Sequence, residues 1–135
     1  MSKTFEIILS VYLCALLISG CSESTEPDSV EYFKINIDSV QSPNSISLGD
    51  TLQLRLYGFV GSNGCYSFSK FESSQTNSNL DLTVWGKYTP ADVCATVIIE
   101  MRGTKYPVVP VSKGTFEIVI HQPDGTTLKD TIIVQ

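Results

Sequence analysis

Apolar and polar side chains alternate along this chain from about residue 30 onward. The apolar residues that recur with a period of two are Phe33, Ile35 and Ile37; Leu52, Leu54 and Leu56; Leu80, Leu82 and Val84; Val97, Ile99 and Met101; Phe116, Ile118 and Ile120; and Leu128, Ile132 and Val134. Successive side chains of a strand point to opposite faces, so this period is typical of strands with one buried face. The sequence therefore predicts an all-β fold.

Polar segments rich in glycine and proline separate these runs at intervals of about ten to fifteen residues. In the last of them, Pro123 sets a negative φ and Gly125 accepts a positive φ, which predicts a hairpin turn. This spacing indicates a β-sandwich or small barrel, and we expect an immunoglobulin-like β-sandwich of about seven strands. The order Cys65, Trp85, Cys94 resembles that of antibody domains, but an aspartate replaces the tyrosine expected two residues before the second cysteine.

The first twenty residues have the composition of an export signal. Residues 7–18 are almost continuously apolar, follow a segment with one lysine, and lead directly into Ser19, Gly20 and Cys21. A helix of this length rises only about 18 Å, which is less than the roughly 30 Å hydrocarbon core of a bilayer. The pattern therefore predicts a signal peptide rather than a permanent transmembrane anchor.

The residues around the end of this run resemble the lipobox of bacterial lipoproteins, in which small residues precede an acceptor cysteine. They are Ile18, Ser19, Gly20 and Cys21. The resemblance implies cleavage after Gly20, a diacylglycerol thioether on Cys21 and usually an acylated new amino terminus. More than one acyl chain anchors a protein stably to a membrane. Ser22 resembles the residue that follows the cysteine in outer-membrane lipoproteins, so we expect lipid anchoring at the outer membrane, with exposure at the cell surface left open.

These features divide the chain into a signal peptide (1–20), an acidic flexible tether (21–29) and an immunoglobulin-like domain (30–135). The tether sequence SESTEPDS has no apolar periodicity, and its acids resemble the tethers of some surface-exposed lipoproteins. The formal net charge is −5, and the positive side chains are scattered singly. Without a basic stripe, nucleic acid is not an expected partner.

Two cysteines, Cys65 and Cys94, remain once Cys14 is removed with the leader and Cys21 is lipidated. Exported proteins meet an oxidising compartment, so we expect a disulfide between them. A metal or redox pair is the alternative, but no CxxC spacing exists and His121 is the only histidine.

Motifs for catalysis are not found in the sequence. Alternation places His121 on the same face as Glu117 and Val119, so we expect it to face solvent. No serine lies in a nucleophile elbow, and no HExxH motif, phosphate loop or calcium loop is found. We therefore expect a non-catalytic protein without metal or cofactor. A hydrolase that depends on His121 or an acid is the weakest alternative.

Two segments are candidate binding surfaces. In GFVGSNGCYSF, the disulfide would hold Tyr66 and Phe68 close together, although a glycine-rich connection with core aromatics is favoured. In GTKYPVVPVSKG, the two prolines disfavour a central strand and could leave Tyr106, Val108 and Val109 at an edge or in a loop. An edge strand that covers the core is the favoured alternative there.

The leading hypothesis is an envelope lipoprotein whose domain binds a protein or glycan, or serves as an accessory subunit of a larger assembly. The alternative is an inhibitor of a protease or lysozyme, since several such families are small disulfide-bonded β lipoproteins. Lys113 and Gly114 resemble a lysozyme-inhibitor motif, without its accompanying Tyr and Trp framework.

Overall fold

Two β-sheets pack face to face in the computed structural model, which describes residues 29–135. The strands are β1 (Glu31–Lys34), β2 (Asn36–Gln41), β3 (Ser45–Ile46), β4 (Leu52–Gly61), β5 (Tyr66–Gln75), β6 (Asn79–Tyr88), β7 (Ile99–Val108), β8 (Gly114–His121) and β9 (Thr127–Val134). The predicted β-sandwich is confirmed, while the finer immunoglobulin-like assignment stays a prediction. The leader, Cys21 and the tether up to residue 28 lie outside the described residues. Residues 29–135 contain no helix with the length and apolar content that a membrane crossing requires.

Strand β6 is the centre of the larger, six-stranded sheet. Strand β5 pairs antiparallel along one edge of β6, and the other edge is shared by β8 over residues 79–83 and by β1 over residues 85–88. The β8 pairing is parallel, and β9 and then the short β3 extend the sheet beyond β8. The smaller sheet has the order β2-β4-β7 and is antiparallel throughout.

The chain changes sheets at Ile35, inside the run that alternation predicts as one strand. The Ile35 N–H donates to Val84 O of the larger sheet at 2.8 Å, whereas Ile37 pairs with Gly58 in the smaller sheet. A β-carbon at Gly58 would lie 2.3 Å from Asn36 O, so glycine is required for this close approach. This split and the two-residue β3 bring the described strands to nine, above the expected seven.

The alternating apolar residues meet between the sheets and form the core. The buried set is Ile35, Ile37, Leu52, Leu54, Leu56, Val60, Leu80, Leu82, Val84, Met101, Val108, Phe116, Ile118, Ile120, Ile132 and Val134. One predicted member is wrong, because Val97 is exposed in the loop that precedes the start of β7 at Ile99.

The hairpin predicted at the end of the chain is confirmed, with β8 and β9 antiparallel. Its turn is closed by Gln122 N–H donating to Thr126 O at 3.0 Å, and Gly125 adopts φ of 84°. The Thr126 hydroxyl and N–H both donate to the Asp124 carboxylate, and these bonds lower the pKa of Asp124 below its usual value. This contribution to turn stability is present above the unfolded-state pKa and is lost as the pH falls through the lower folded value.

A disulfide joins Cys65 and Cys94, as predicted, with the two α-carbons 5.4 Å apart. Beside it, Gly64 N–H donates to Ala95 O at 2.8 Å and Thr89 N–H donates to Cys65 O at 3.0 Å. These bonds fix the loops 62–65 and 89–98 to each other. We call this end of the sandwich, where β4 and β6 end and β1, β5 and β7 begin, the disulfide end.

Candidate functional site

The first predicted binding pair, Tyr66 and Phe68, is divided between two aromatic groups at the margin of the core. The Tyr66 ring lies 5.7 Å from that of Phe33 and 4.8 Å from that of Tyr88, measured between centroids. Phe68 lies 4.8 Å from Phe71 and keeps part of its surface exposed. Tyr66 therefore packs against the core, whereas Phe68 keeps exposed surface.

The second predicted group lies at the end of β7, an edge strand of the smaller sheet, and includes Val109 directly after it. Tyr106 packs 5.0 Å from Phe71 and its hydroxyl donates to Ser73 Oγ at 2.7 Å. Val108 is only 5% exposed, so it belongs to the core and is not available as a binding surface. Val109 is exposed, and its carbonyl accepts a bond from Gln75 Nε2 at 2.8 Å. Together these contacts join β5 of the larger sheet to the end of β7 in the smaller sheet.

The outer face of the six-stranded sheet carries a different set of residues. Because Leu82 and Val84 of β6 point into the core, the intervening Asp81, Thr83 and Trp85 point outward. The strand register sets Glu72 beside Thr83, Lys70 beside Trp85, and Thr83 beside His121. The outer face therefore brings carboxylates, a tryptophan and the single histidine onto one surface.

The first of two depressions on this outer face surrounds Trp85. It has a volume of about 320 Å³ and is lined by Tyr32, Ser69, Lys70, Glu72 and Trp85. The Trp85 Nε1–H donates to Glu72 Oε2 at 2.7 Å, which fixes the indole and the carboxylate relative to each other. Tyr32 is 61% exposed, so its ring is available to a ligand.

The second depression adjoins the first through their shared residue Glu72. Its volume is about 200 Å³, and its lining is Glu72, Ser73, Ser74, Asp81, Thr83 and His121. Asp81 Oδ2 accepts a bond from Asn79 Nδ2 at 2.6 Å, and Asp81 Oδ1 lies 3.0 Å from His121 Nε2. The carboxylates of Glu72 and Asp81 are thus both held in place before any ligand arrives. We call the two adjoining depressions the Trp85 groove.

This arrangement provides hydrogen-bonding groups beside aromatic surface. Within residues 29–135, the His121 side chain has Asp81 as its hydrogen-bond partner and no serine or threonine hydroxyl on its other nitrogen. A hydrolytic triad requires a nucleophile at that position. The same part of the chain holds no group of three or more His, Cys, Asp or Glu placed to bind a metal ion.

Sequence reasoning singled out neither the Trp85 groove nor its two carboxylates. The signal was present in NLDLTVWG, since alternation from Leu80 through Val84 places Trp85 on the face opposite the core. Trp85 is half-buried on that face, and its cross-strand neighbours are Lys34 of β1 and Lys70 of β5.

The chain was compared with protein-family models, curated proteins and solved structures, and none of them matches.

Proposed function

We propose that the chain is a lipid-anchored, non-catalytic binding module of a bacterial cell envelope, whose groove around Trp85 takes a neutral glycan. One observation carries the proposal: the two depressions share Glu72 and form one groove with aromatic surface and pre-positioned carboxylates. The anchor rests on the lipobox resemblance of residues 18–21.

A sugar ring offers an apolar C–H face and a rim of hydroxyls, and the groove has partners for both. The faces of Trp85 and Tyr32 supply rigid apolar surface at little cost in conformational entropy. Glu72 and Asp81 offer oxygen acceptors to hydroxyl donors, and both are already oriented by neighbouring side chains. Such orientation lowers the ordering cost that binding otherwise carries.

The charges of the groove favour a neutral ligand. Lys70 and Glu72 line the first depression and Asp81 lines the second, so one ammonium group lies among two carboxylates. An anionic polymer would meet the two carboxylates, and a strongly cationic one would meet the lysine. A protein partner is less favoured, because the centre of a protein interface is depleted of charged residues.

The groove has its own fluorescent reporter, because Trp85 is the only tryptophan in the chain. We expect its emission to shift when the mature protein is titrated with neutral cello-, chito- or manno-oligosaccharides. Trp85→Ala should weaken the binding of the responding sugar by about tenfold or more, as is usual for an aromatic hot spot, measured by affinity electrophoresis.

The matched control is Phe59→Ala, which removes an exposed aromatic ring from the smaller sheet. This variant should bind the same sugar with unchanged affinity. The glycan proposal is wrong if no sugar shifts the emission of Trp85, or if the Trp85→Ala and wild-type proteins bind equally well.

The anchor is tested separately by intact mass. Wild-type protein from membranes should carry a lipid-sized mass increment and begin at Cys21, whereas Cys21→Ser should carry none, because it lacks the acceptor thiol. External protease added to whole cells then distinguishes the two faces of the outer membrane: cleavage indicates surface exposure and protection indicates a periplasmic location. Equal masses, apart from the substitution itself, would refute lipidation at Cys21.

A further inference from the structure

The loop between β6 and β7 exposes three apolar side chains to solvent. Val93 is 85% exposed and Ile98 is 60% exposed, and Val97 between them is also exposed. Over the whole loop, residues 89–98, the only charged side chain is that of Asp92. Large apolar side chains exposed together in one short loop mark a candidate interaction surface.

The loop is also held rigidly. The disulfide fixes Cys94, Gly64 N–H donates to Ala95 O, and Thr89 N–H donates to Cys65 O. Val93 lies directly before the crosslinked Cys94, between these points of attachment, and is 85% exposed. The apolar side chains are therefore presented outward without the ordering cost that a mobile loop would carry on binding.

The chain enters the domain at this same end. Glu31 begins β1 opposite Tyr88, the last residue of β6, and Val30 just before it is exposed. Val30 lies nine positions after Cys21. The covalent geometry of the backbone limits the reach of nine residues to at most about 32 Å.

We infer that the disulfide end docks on the bilayer surface, with Val93, Val97 and Ile98 at the boundary between headgroups and acyl chains. The inference rests on the proposed lipid anchor at Cys21. An isolated loop of three aliphatic residues would bind a membrane weakly. The short tether changes this, because it converts docking into an intramolecular step at an effective concentration of the order of millimolar.

The opposite end of the sandwich also exposes apolar residues, Val109 and Val111, but it is poorly placed for docking. Ser112 Oγ donates to Asn77 O there, beside the β5–β6 hairpin. The ten-residue strands separate that end from Val30 by roughly 33 Å. Contact with the bilayer at that end would require a tether stretched to its full length.

The test places a fluorescent probe at each end of the lipidated full-length protein. Trp85→Phe removes the natural tryptophan. Val93→Trp or Val111→Trp then adds one at an exposed site, since Val93 is 85% exposed and Val111 is 62% exposed. The proteins are reconstituted in phosphatidylcholine vesicles with or without bromine atoms on the acyl chains, which quench tryptophan at the depth of interfacial insertion, about 5–10 Å.

We expect brominated lipid to quench the Val93→Trp protein by at least half and to leave the Val111→Trp protein almost unchanged. Ile98→Trp serves as a second probe of the same surface if Val93→Trp folds poorly. Co-sedimentation with vesicles, without quenching at positions 93 and 98, overturns the docking and favours a protein partner for the loop. Failure to co-sediment, with Cys21→Ser behaving identically, overturns the anchor itself.

Discussion

Gln122→Leu is expected to lower the free energy of unfolding by about 4 kcal/mol, because two buried backbone groups lose their partners. The Gln122 amide accepts from Ile37 N–H at 3.0 Å and donates to Ile37 O at 2.9 Å. The Gln122 amide thereby gives Ile37 of β2 the backbone hydrogen bonds that a neighbouring strand would otherwise provide. Ile37 lies close to Ile35, where the chain changes sheets. Leucine has a similar volume and offers neither bond. Urea unfolding followed by circular dichroism measures the difference.

Gln122→Glu serves as a companion variant that keeps the shape of the side chain. One carboxylate oxygen can accept from Ile37 N–H, but the other faces the Ile37 carbonyl oxygen, and two acceptors cannot bond each other. Burial also disfavours the charged form of the carboxylate. Both effects raise the pKa of the new group in the folded state. The Gln122→Glu protein should therefore be most stable at low pH, where the protonated side chain can donate to the Ile37 carbonyl. Its free energy of unfolding should fall as the pH rises through the folded-state pKa of this side chain.

Gln53→Leu is the matched surface control, since Gln53 is exposed on β4. It should change stability by less than about 0.5 kcal/mol. If Gln122→Leu falls within about 1 kcal/mol of wild type, then the amide bridge does not hold β2 in place.

The core could be predicted from the sequence because it depends on local alternation. Leu52, Leu54 and Leu56 point inward as their spacing requires, and the Pro123 to Gly125 turn forms where its dihedral preferences place it. The sheet change at Ile35 could not be predicted, because alternation continues unbroken through it. The bridge from Gln122 to Ile37 joins residues 85 positions apart, and no local pattern encodes it.

The faces of the aromatic residues along β5 could not be predicted for a related reason. Tyr66 and Tyr106 are candidate binding residues from the sequence, with core packing as the favoured alternative, and both pack against the core. A bulge between Phe68 and Lys70 also shifts the alternation of β5 by one residue. Because a one-residue shift exchanges the two faces of a strand, the faces of Phe71 and Glu72 cannot be extrapolated from Tyr66.

Removing the disulfide by the double substitution Cys65→Ala and Cys94→Ala should lower the free energy of unfolding by about 3.5 kcal/mol. The crosslink closes a loop across a sequence separation of 29 residues, and its loss restores that freedom to the unfolded chain. For a domain of this size the melting temperature should fall by roughly 15 °C or more. Thermal unfolding followed by circular dichroism measures the shift, and chemically reduced wild-type protein should reproduce it.

The same double variant separates the two proposed surfaces, because only one of them depends on the crosslink. Trp85 and Glu72 are positioned by strands β5 and β6 and by their own hydrogen bond, so glycan binding below the melting temperature should persist. The loop carrying Val93 loses its fixed point at Cys94, so the quenching of Val93→Trp by brominated lipid should weaken. Unchanged quenching would show that the disulfide does not present the loop to the membrane, and loss of glycan binding in folded protein would show that the groove depends on the disulfide end.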